Sequence, residues 1–592
     1  MIIVKALYDY ISIPLGKKIK KIYISVLVIS LNFYNQEIAA QSPSIPSLGT
    51  PNEFAPKITP KTPTEPLPLP PPDRLFNLQN PQNPQTPSDS HMPPHSTSEL
   101  IVVKKFEVIG SSIFSDRELE NITNPYTNKP ISIVELFQVR TKITELYLER
   151  GYITSGAYLP EQDLQTGTVK IQVVEGGLDR IKIIGLSRLN AGYIQSRIEI
   201  ATGKPLNRNR LLEALQLLQI NPLIESISAN LSPSLEVGLN DLEIKVTEAP
   251  TFSLPITFDN SRAPSVGSER RQVQLIEANL TGLGDRLSLS YGNTDGSNAF
   301  DASYTIPFNP YNGTIGLSLG TSSSNVIESP FNILDIASNS RNYELTIRQP
   351  IFQNTAQDLA LGLTLSHRQS SASLLGGLIP FPALGADDNG QTKVTALRFF
   401  QEYVQRSAEE VFAVRSQVSL GLNALGSTIN DLSPDSRFLA WRGQTQYLRL
   451  LAPQTLLLLR ADLQLSDRPL LSQEQISLGG QDNLRGYRQD ALLSDNGLVL
   501  SAEVRIPILH IPDINGLLQV VPFCDFGTVW NQRANTNPDP STLVSVGMGL
   551  RFQMSDRLTI RLDLGLPLSR ISAEKRTLQE NGIYFSISTN PF

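Results

Sequence analysis

Cysteine and histidine are scarce in this sequence. Its 592 residues include one cysteine, Cys524, and four histidines. A single cysteine excludes an internal disulfide, a CxxC redox pair and a thiolate zinc cluster. His91 and His95 stand in a proline-rich stretch, and His367 and His510 are far apart in the chain. This leaves little for a metal site, and we expect no cofactor.

Charge and long apolar runs are also low. Charged residues make up 18% of the chain and the formal net charge is −6, whereas an average soluble chain has roughly 25% charged residues. A mildly acidic chain is not a phosphate-driven nucleic-acid binder, so we expect no nucleic-acid partner. The absence of a long apolar run after the N-terminus disfavours helical membrane spans. A β-barrel is then the structure with which this chain could cross a membrane.

The first 99 residues have the pattern of a signal peptide and a linker. A basic cluster over 17–21 precedes an apolar run over 22–34, and we place cleavage after Ala40. Residues 1–40 are therefore predicted to be a secretory signal peptide, with a single N-terminal membrane anchor as the alternative. Residues 41–99 are rich in proline. Because such a segment buries too little apolar surface to fold, we expect a disordered, extended linker.

Two copies of one pattern follow, over 100–176 and 177–250. Each copy predicts the order β-α-α-β-β, and a tandem repeat is stronger evidence than either copy alone. In the first copy Ser132 and Glu135 have the spacing of a capping box, and Gly151 is a natural helix end. In the second copy Asn207 is placed to cap the corresponding helix. We predict two small α/β domains.

The first copy resembles a POTRA (polypeptide-transport-associated) domain. Residues 106–110 are similar to the opening of such a domain, and 147–155 resemble a stretch found in the POTRA domains of two-partner secretion transporters. The motif residues are Gly110, Gly151, Tyr152, Tyr158 and Pro160. Most of them could serve only to build the fold. An exposed strand edge on such a domain could capture an extended client by adding it as a strand.

From residue 251 onward, apolar and polar residues alternate. Between Arg557 and Leu568 every even position is leucine or isoleucine, and the odd positions include Arg561 and Asp563. An outer-membrane barrel turns such an apolar face to lipid and the polar face to water, whereas a soluble sandwich would bury the apolar face. We count sixteen such segments, and an even number lets an antiparallel sheet close. Residues 251–592 are therefore predicted to form a 16-stranded transmembrane β-barrel. The predicted strand starts are 252, 271, 285, 298, 313, 340, 357, 392, 410, 436, 455, 497, 515, 543, 557 and 582.

One gap between predicted strands, about 467–496, is unusually long, and such loops are mostly functional or disordered. Within it, 479–488 resembles the loop-six motif of transporters that combine POTRA domains with a 16-stranded barrel. The matching residues are Gly479, Gly480, Leu484, Arg485, Gly486 and Tyr487. Later in the chain Phe523, Asp525 and Gly527 match the barrel-wall motif F-x-D-x-G of these transporters. The resemblance implies that the loop folds into the barrel and that Arg485 pairs with Asp525.

Together these motifs identify the chain as a member of the two-partner secretion outer-membrane transporters of TpsB type, the ShlB/FhaC/HecB haemolysin secretion/activation family. The resemblance implies that periplasmic POTRA domains bind a large, unfolded exoprotein of TpsA type, with a β-helical fold once secreted, which passes through the barrel to the cell surface. It also implies a place in the outer membrane of a Gram-negative-type envelope. Outer-membrane lipid and, during biogenesis, the barrel-assembly machinery are then expected partners.

Three other functions are compatible with parts of this pattern. A barrel-assembly insertase of the BamA kind shares this architecture but usually carries more POTRA domains. A passive solute porin predicts no periplasmic domains, so residues 100–250 argue against it. An enzyme inside a barrel would need catalytic partners, and His367 and His510 have no convincing partner set in the sequence. We therefore do not expect an enzyme.

Overall fold

The computed structural model describes residues 76–78 and 100–592, except for 237, 382, 432–433, 533–535, 556 and 572–575. The predicted signal peptide lies outside the described residues. So does the predicted linker, apart from one short strand, β1 (Phe76–Leu78). Within the part of the chain that is described, no helix is both long and apolar enough to cross a membrane.

The first α/β domain packs two helices on a three-stranded sheet. The sheet has the order β3-β6-β5, with β3 parallel and β5 antiparallel to β6. The Ser132 side chain accepts a hydrogen bond from the Glu135 backbone, and Glu135 in turn caps the Ser132 backbone, so the predicted capping box is confirmed. Its elements are β2 (Ile101–Val102), β3 (Lys105–Ile109), α1 (Asp116–Thr123), β4 (Pro130–Ile131), α2 (Ile133–Glu149), β5 (Gly156–Tyr158) and β6 (Thr168–Val174).

The second domain repeats this plan, so the predicted β-α-α-β-β order is confirmed in both copies. Its elements are β7 (Gly177–Ile184), α3 (Ala191–Ala201), α4 (Arg208–Gln219), β8 (Ile224–Pro233) and β9 (Leu239–Glu248). The linker strand β1 joins this sheet, which has the order β1-β8-β9-β7. It runs parallel to β8, with Phe76 opposite Ala229 and Leu78 opposite Leu231. The sequence pattern did not predict β1, because three residues among prolines show no periodicity.

In each domain a glutamate accepts hydrogen bonds from the turn between a strand and the first helix. These turns lie between β3 and α1 and between β7 and α3. Glu175 accepts hydrogen bonds from the backbone and hydroxyl of Ser112, and Glu248 accepts them from the backbone N–H groups of Ser187 at 2.7 Å and Leu189 at 2.9 Å. Burial disfavours the charged form of both carboxylates. The hydrogen bonds outweigh burial and hold the pKa of both carboxyls below the usual range.

We expect these two domains to lose stability as the pH falls below about 4.3, the ordinary glutamate pKa. A carboxyl whose pKa is lowered by folding stabilises the folded state above its unfolded pKa, and this contribution is lost as the pH falls through the folded pKa. The circular-dichroism signal of the helices reports on the two domains, since α1–α4 all lie in them. In E175Q/E248Q the melting temperature of that signal should depend less on pH than in the wild type.

A matched control for this experiment is E145Q/E149Q, which changes two exposed glutamates on α2. This variant should keep the pH dependence of the wild type. If E175Q/E248Q also kept it, the two turn-holding carboxylates would not be the groups that titrate.

Sixteen antiparallel strands form a closed barrel in the described part of 251–592, which confirms the predicted fold. The first strand consists of two pieces, β10 (Phe252–Ser253) and β11 (Ile256–Asp259), because Pro255 lacks the N–H that a continuous ladder needs. Strand β11 pairs with the last strand and closes the barrel. The predicted starts differ from the observed ones by at most three residues. The remaining strands are β12 (Arg270–Ala278), β13 (Arg286–Asn293), β14 (Ser297–Pro307), β15 (Thr314–Asn325), β16 (Ala337–Gln353), β17 (Gln357–Leu374) with its short return strand β18 (Ile379–Pro380), β19 (Gln391–Arg406), β20 (Glu410–Leu422), β21 (Leu439–Ala452), β22 (Thr455–Ser466), β25 (Asn496–Ile511), β26 (Gly516–Trp530), β27 (Thr542–Met554), β28 (Leu558–Pro567) and β29 (Ile583–Thr589), while β23 (Ile476–Leu478) and β24 (Leu492–Ser494) lie in the loop between β22 and β25.

Side chains alternate between the two faces of the barrel wall. On β28, Leu562 and Leu564 are exposed on the outside, whereas Asp563 between them is buried in the lumen. The last strand follows the same rule, with Tyr584 buried and Ile587 exposed. This register was left open by the sequence, because Pro591 separates the alternating residues from the C-terminal Phe592.

The second domain is joined to the barrel through the turn between β12 and β13. The Asn190 backbone N–H donates to the Gly282 carbonyl at 2.8 Å. Gly284 lies against the Tyr193 ring so closely that a Cβ there would be 2.3 Å from a ring carbon. Arg197 also stacks on this ring, with its guanidinium carbon 3.6 Å from the ring centroid. The joint therefore depends on close contacts of backbone and ring.

Candidate functional site: loop six inside the barrel

The loop between β22 and β25, which we call loop six, folds into the lumen. Its strands β23 and β24 pair with each other as a hairpin. Apolar side chains from the loop pack on apolar side chains from the wall, which is unusual for a water-filled pore. This cluster consists of Ile476, Leu478, Leu484, Tyr487, Val499, Val529 and Leu543. The loop is therefore packed in place and does not extend into solvent.

The glycine pair at the start of the motif is required by the backbone. Gly479 and Gly480 have φ angles of 109° and 104°, which side-chain-bearing residues rarely adopt. The turn is closed by hydrogen bonds from the Gly480 N–H to the Tyr487 carbonyl at 3.0 Å and from the Leu484 N–H to the Gly480 carbonyl at 3.2 Å. This compact turn presents Leu484, and Arg485 next to it, to the barrel wall.

Arg485 makes the central polar contacts of loop six. Its Nε and Nη2 donate to the two carboxylate oxygens of Asp525, each at 2.8 Å, and its Nη1 donates to Glu503 at 2.9 Å. Ser501 donates to Asp525 at 2.6 Å and accepts from Arg485 at 3.3 Å. The guanidinium carbon lies 3.5 Å from the centroid of the Phe523 ring. The arginine is thus held by a bidentate pair, a second carboxylate and an aromatic face.

Burial makes this arrangement costly to break. Arg485 is 3% exposed and Asp525 is fully buried. Removing one partner of such a buried pair leaves an uncompensated charge and costs about 3–5 kcal/mol. Glu503 also accepts a hydrogen bond from Arg505 at 3.0 Å, which supplies a further positive charge beside the two carboxylates.

Sequence reasoning did not predict the contacts of Glu503 and Ser501 with Arg485. Alternation shows that 501 and 503 face the lumen on β25, but it does not show which of the lumen-facing charges meets the loop.

The two residues after Arg485 bind strands β27 and β29 of the wall. The Gly486 N–H donates to the Tyr584 hydroxyl at 2.9 Å, and that hydroxyl donates to the Tyr487 carbonyl at 2.6 Å. The Tyr487 hydroxyl donates to the Val544 carbonyl at 2.7 Å. Tyr584 is buried on the last strand, β29. Gly486 and Tyr487 therefore attach loop six to β29, the strand that closes the barrel.

Three glycines on neighbouring strands leave room for the tip of loop six. A Cβ on Gly527 would lie 2.6 Å from Leu484, and a Cβ on Gly565 would lie 2.5 Å from the Gly486 nitrogen. Gly547 makes the same kind of space for the Phe523 ring, at 2.3 Å. The wall is thus shaped to the loop by missing side chains. The sequence motif includes Gly527 but not the other two.

The predicted POTRA motif residues lie in the first domain, apart from loop six. Gly110 and Gly151 have φ angles of 89° and 88° at turns, and Tyr152 packs on the buried core of the domain. Tyr158 is 49% exposed on β5, and Pro160 follows that strand. The first three residues build the fold, whereas Tyr158 faces solvent.

Metal ligands do not cluster in the described residues. Among them, no group of three or more His, Cys, Asp or Glu side chains is placed to hold a metal ion. Cys524 is exposed on the outer face of β26, as the alternation predicts.

Comparison with known families decides what this architecture is. The family model described as haemolysin secretion/activation protein ShlB/FhaC/HecB matches residues 238–552, more than half of the chain. The chain belongs to this family. A second model, the POTRA domain of ShlB type, matches residues 101–176, the first α/β domain.

Relatives within the family are distant in sequence and similar in extent. The outer membrane transporter CdiB of Dickeya dadantii is 23% identical over 78% of this chain and 81% of its own length. The heme/hemopexin transporter protein HuxB of Haemophilus influenzae is 23% identical over 76% of this chain and 80% of its own. The solved structure of CdiB from Escherichia coli has a TM-score of 0.64 at 22% identity, covering 86% of this chain and 93% of that one.

Family membership gives the location and the function of the protein. It is an outer-membrane transporter whose POTRA domains lie in the periplasm and whose barrel exports a partner protein. The matching family is the secretion branch of these proteins.

Proposed function

We propose that this protein exports one large secreted exoprotein and that loop six must leave its present position for the client to pass. The observation that carries the proposal is the packing of loop six across the lumen, held by Arg485 between Asp525 and Glu503. An unfolded chain needs a continuous opening, and a buried, apolar loop blocks one. The residues of the loop-six and wall motifs then act as the lock of the channel, with no chemical reaction of their own.

Client capture belongs to the POTRA domains, with proposed bounds of 100–176 and 177–250. An extended client adds to a sheet by backbone hydrogen bonds when a strand edge is free. Strand β5 is an edge of the first sheet, and its Tyr158 is exposed. The edge of β8 in the second sheet already carries β1. We therefore place the first contact of the client on β5.

The partner is proposed by analogy with the family. One relative is named a heme/hemopexin transporter protein and another a hemolysin transporter protein. We propose a TpsA-type, β-helical exoprotein as the client here. We also propose that the outer face of the barrel, from 251 to 592, contacts outer-membrane lipid and that the barrel-assembly machinery inserts it.

Deleting the gene should remove a single large protein from the culture medium. Secreted proteins, outer-membrane proteins and small-solute uptake would be quantified together in the deletion strain and in a strain complemented with the wild-type gene. A dedicated exporter predicts loss of one secreted protein with an unchanged membrane profile. A broad fall in barrel proteins, or slower solute uptake alone, would contradict the proposal.

A further inference from the structure

A second group of buried charges lies at the root of loop six, away from the motif. In the short turn Ser472–Glu474, the Glu474 carboxylate accepts a hydrogen bond from Arg398 at 2.7 Å and lies 3.4 Å from Arg368. Arg368 also donates to Glu344 at 3.0 Å. All four charged side chains are more than nine-tenths buried. The set is neutral only when the loop supplies Glu474.

The arginines are built into the wall for this contact. Arg398 donates its other N–H groups to Ser366 at 3.0 Å and to Ser419 at 3.1 Å, so its guanidinium is fixed in direction. The neighbouring Gln473 donates to the Thr392 hydroxyl at 2.8 Å. A buried guanidinium without a carboxylate partner is strongly disfavoured. The wall is therefore prepared for a carboxylate from the loop.

Apolar packing adds to the same contact. Leu470 and Leu471 of loop six are buried against Phe438 and Val394 of the wall. The root of the loop thus combines an ion pair with a small apolar seat, as the tip does with different residues.

The two attachments are separate in space. Glu474 contacts β17 and β19, whereas the tip contacts β25, β26 and β29. In the closed sheet of sixteen strands, β25 and β26, which hold Arg485, are four and five strands away from β19. The Glu474 carboxylate pairs with Arg368 and Arg398, whereas Arg485 pairs with Asp525 and Glu503. Energies of sites that share no partners add, so their effects on an equilibrium multiply.

We propose that Glu474 with Arg368 and Arg398 forms a second, independent anchor of loop six, which we call the root anchor. Its polarity is reversed relative to the tip, because here the loop supplies the carboxylate and the wall supplies the arginines. Release of the Arg485 tip alone leaves the root of the loop against β17 and β19. Full clearance of the lumen requires both anchors to open. The inference deepens the proposed function, since it concerns the same loop.

The root anchor is tested on the purified full-length protein in detergent, by proteolysis of loop six. Thermolysin cleavage between 470 and 476 would be mapped by mass spectrometry and its rate measured. E474Q and R398Q should each raise this rate about tenfold, the effect of losing a hydrogen bond between charged groups. The control E409Q changes an exposed glutamate in the turn between β19 and β20 and should leave the rate unchanged.

Double variants separate the possible outcomes. E474Q/R398Q should be cleaved no faster than E474Q, because E474Q already removes the ion pair between Glu474 and Arg398. For opening of the whole lumen, measured as single-channel conductance in a planar bilayer, the separate gains of E474Q and Arg485→Ala in open fraction should multiply. Two results would show that there is no root anchor. One is a cleavage rate in E474Q equal to that of the wild type, and the other is a rate increase in E474Q/R398Q equal to the product of the two single increases. An open fraction in E474Q with Arg485→Ala no larger than that of the stronger single variant would show that the anchors are not independent.

These measurements need no client. They keep their meaning if the deletion strain contradicts export, so failure of the root anchor and failure of the proposed function are distinguishable. R368Q provides a second route if E474Q does not assemble, with assembly judged by the heat-dependent shift in gel mobility of a folded barrel.

Discussion

Export should fall at least tenfold in the Arg485→Ala variant, while the barrel still assembles at wild-type levels. The substitution removes the partner of Asp525 and Glu503 and the group that stacks on Phe523. Loss of one partner of a buried ion pair costs about 3–5 kcal/mol, enough to unseat the tip of loop six in most molecules. Export falls although the lumen opens more often, because an unheld loop opens without a client and opening is no longer coupled to client binding.

The measurement is the amount of client in the medium, normalised to the amount of heat-modifiable transporter in the membrane. Arg437→Ala is a matched control, because Arg437 is a half-exposed arginine in another loop. Arg485→Lys should fall between the two, since lysine keeps the charge but cannot make the bidentate contact. Wild-type export by the alanine variant would show that the lock is not required.

Gly284→Val should abolish most export for a different reason. Gly284 has a φ of 78°, and a Cβ there would lie 2.3 Å from the Tyr193 ring. A β-branched residue is strained in this conformation and collides with the ring. The second POTRA domain would then lose its seat on the turn between β12 and β13, and client would be delivered away from the lumen.

Gly292→Ala is the matched control for this variant. Gly292 lies on the neighbouring strand β13, and a Cβ there would meet nothing closer than 4.0 Å. Export by Gly292→Ala should equal that of the wild type. Cross-linking of Arg188→Cys to Glu277→Cys with a short bis-maleimide, in a Cys524→Ser background, would report on the joint directly, because these two side chains are 3.0 Å apart across it. The cross-link should form in that background and be lost when Gly284→Val is added. If export and cross-linking both survived Gly284→Val, the joint would not be needed for delivery.

Local signals explain how much of the fold could be predicted. The helix from Ile133 to Glu149 begins and ends where its capping box and Gly151 require, because these are contacts between near neighbours in the chain. The barrel strands were located by alternation, which each strand carries by itself. The interruption at Pro255 was not predicted, because one proline does not change the alternation of the longer segment. The short strand β1 was not predicted, because three residues among prolines show no periodicity.

The candidate site depended on information of another kind. Arg485 and Asp525 came from a motif, and the structure brings them together. The contacts of Glu503 and Tyr584 with the loop, and of Glu474 with the wall, were not predicted. Each of these residues has the sequence appearance of an ordinary lumen-facing or loop side chain. Their roles follow from which strands face each other across the barrel, and that depends on the register of the whole closed sheet.

The double hydrogen bond of Tyr584 has a mechanical consequence for the barrel itself. The seam between β11 and β29 is short, with four residue pairs from Ile256–Thr589 to Asp259–Ser586. Tyr584 ties the strand on one side of this seam to loop six. Coupling between two such equilibria is reciprocal. Separation of β11 from β29 should therefore weaken the attachment of loop six. Conversely, withdrawal of loop six should lower the free energy needed to separate these two strands.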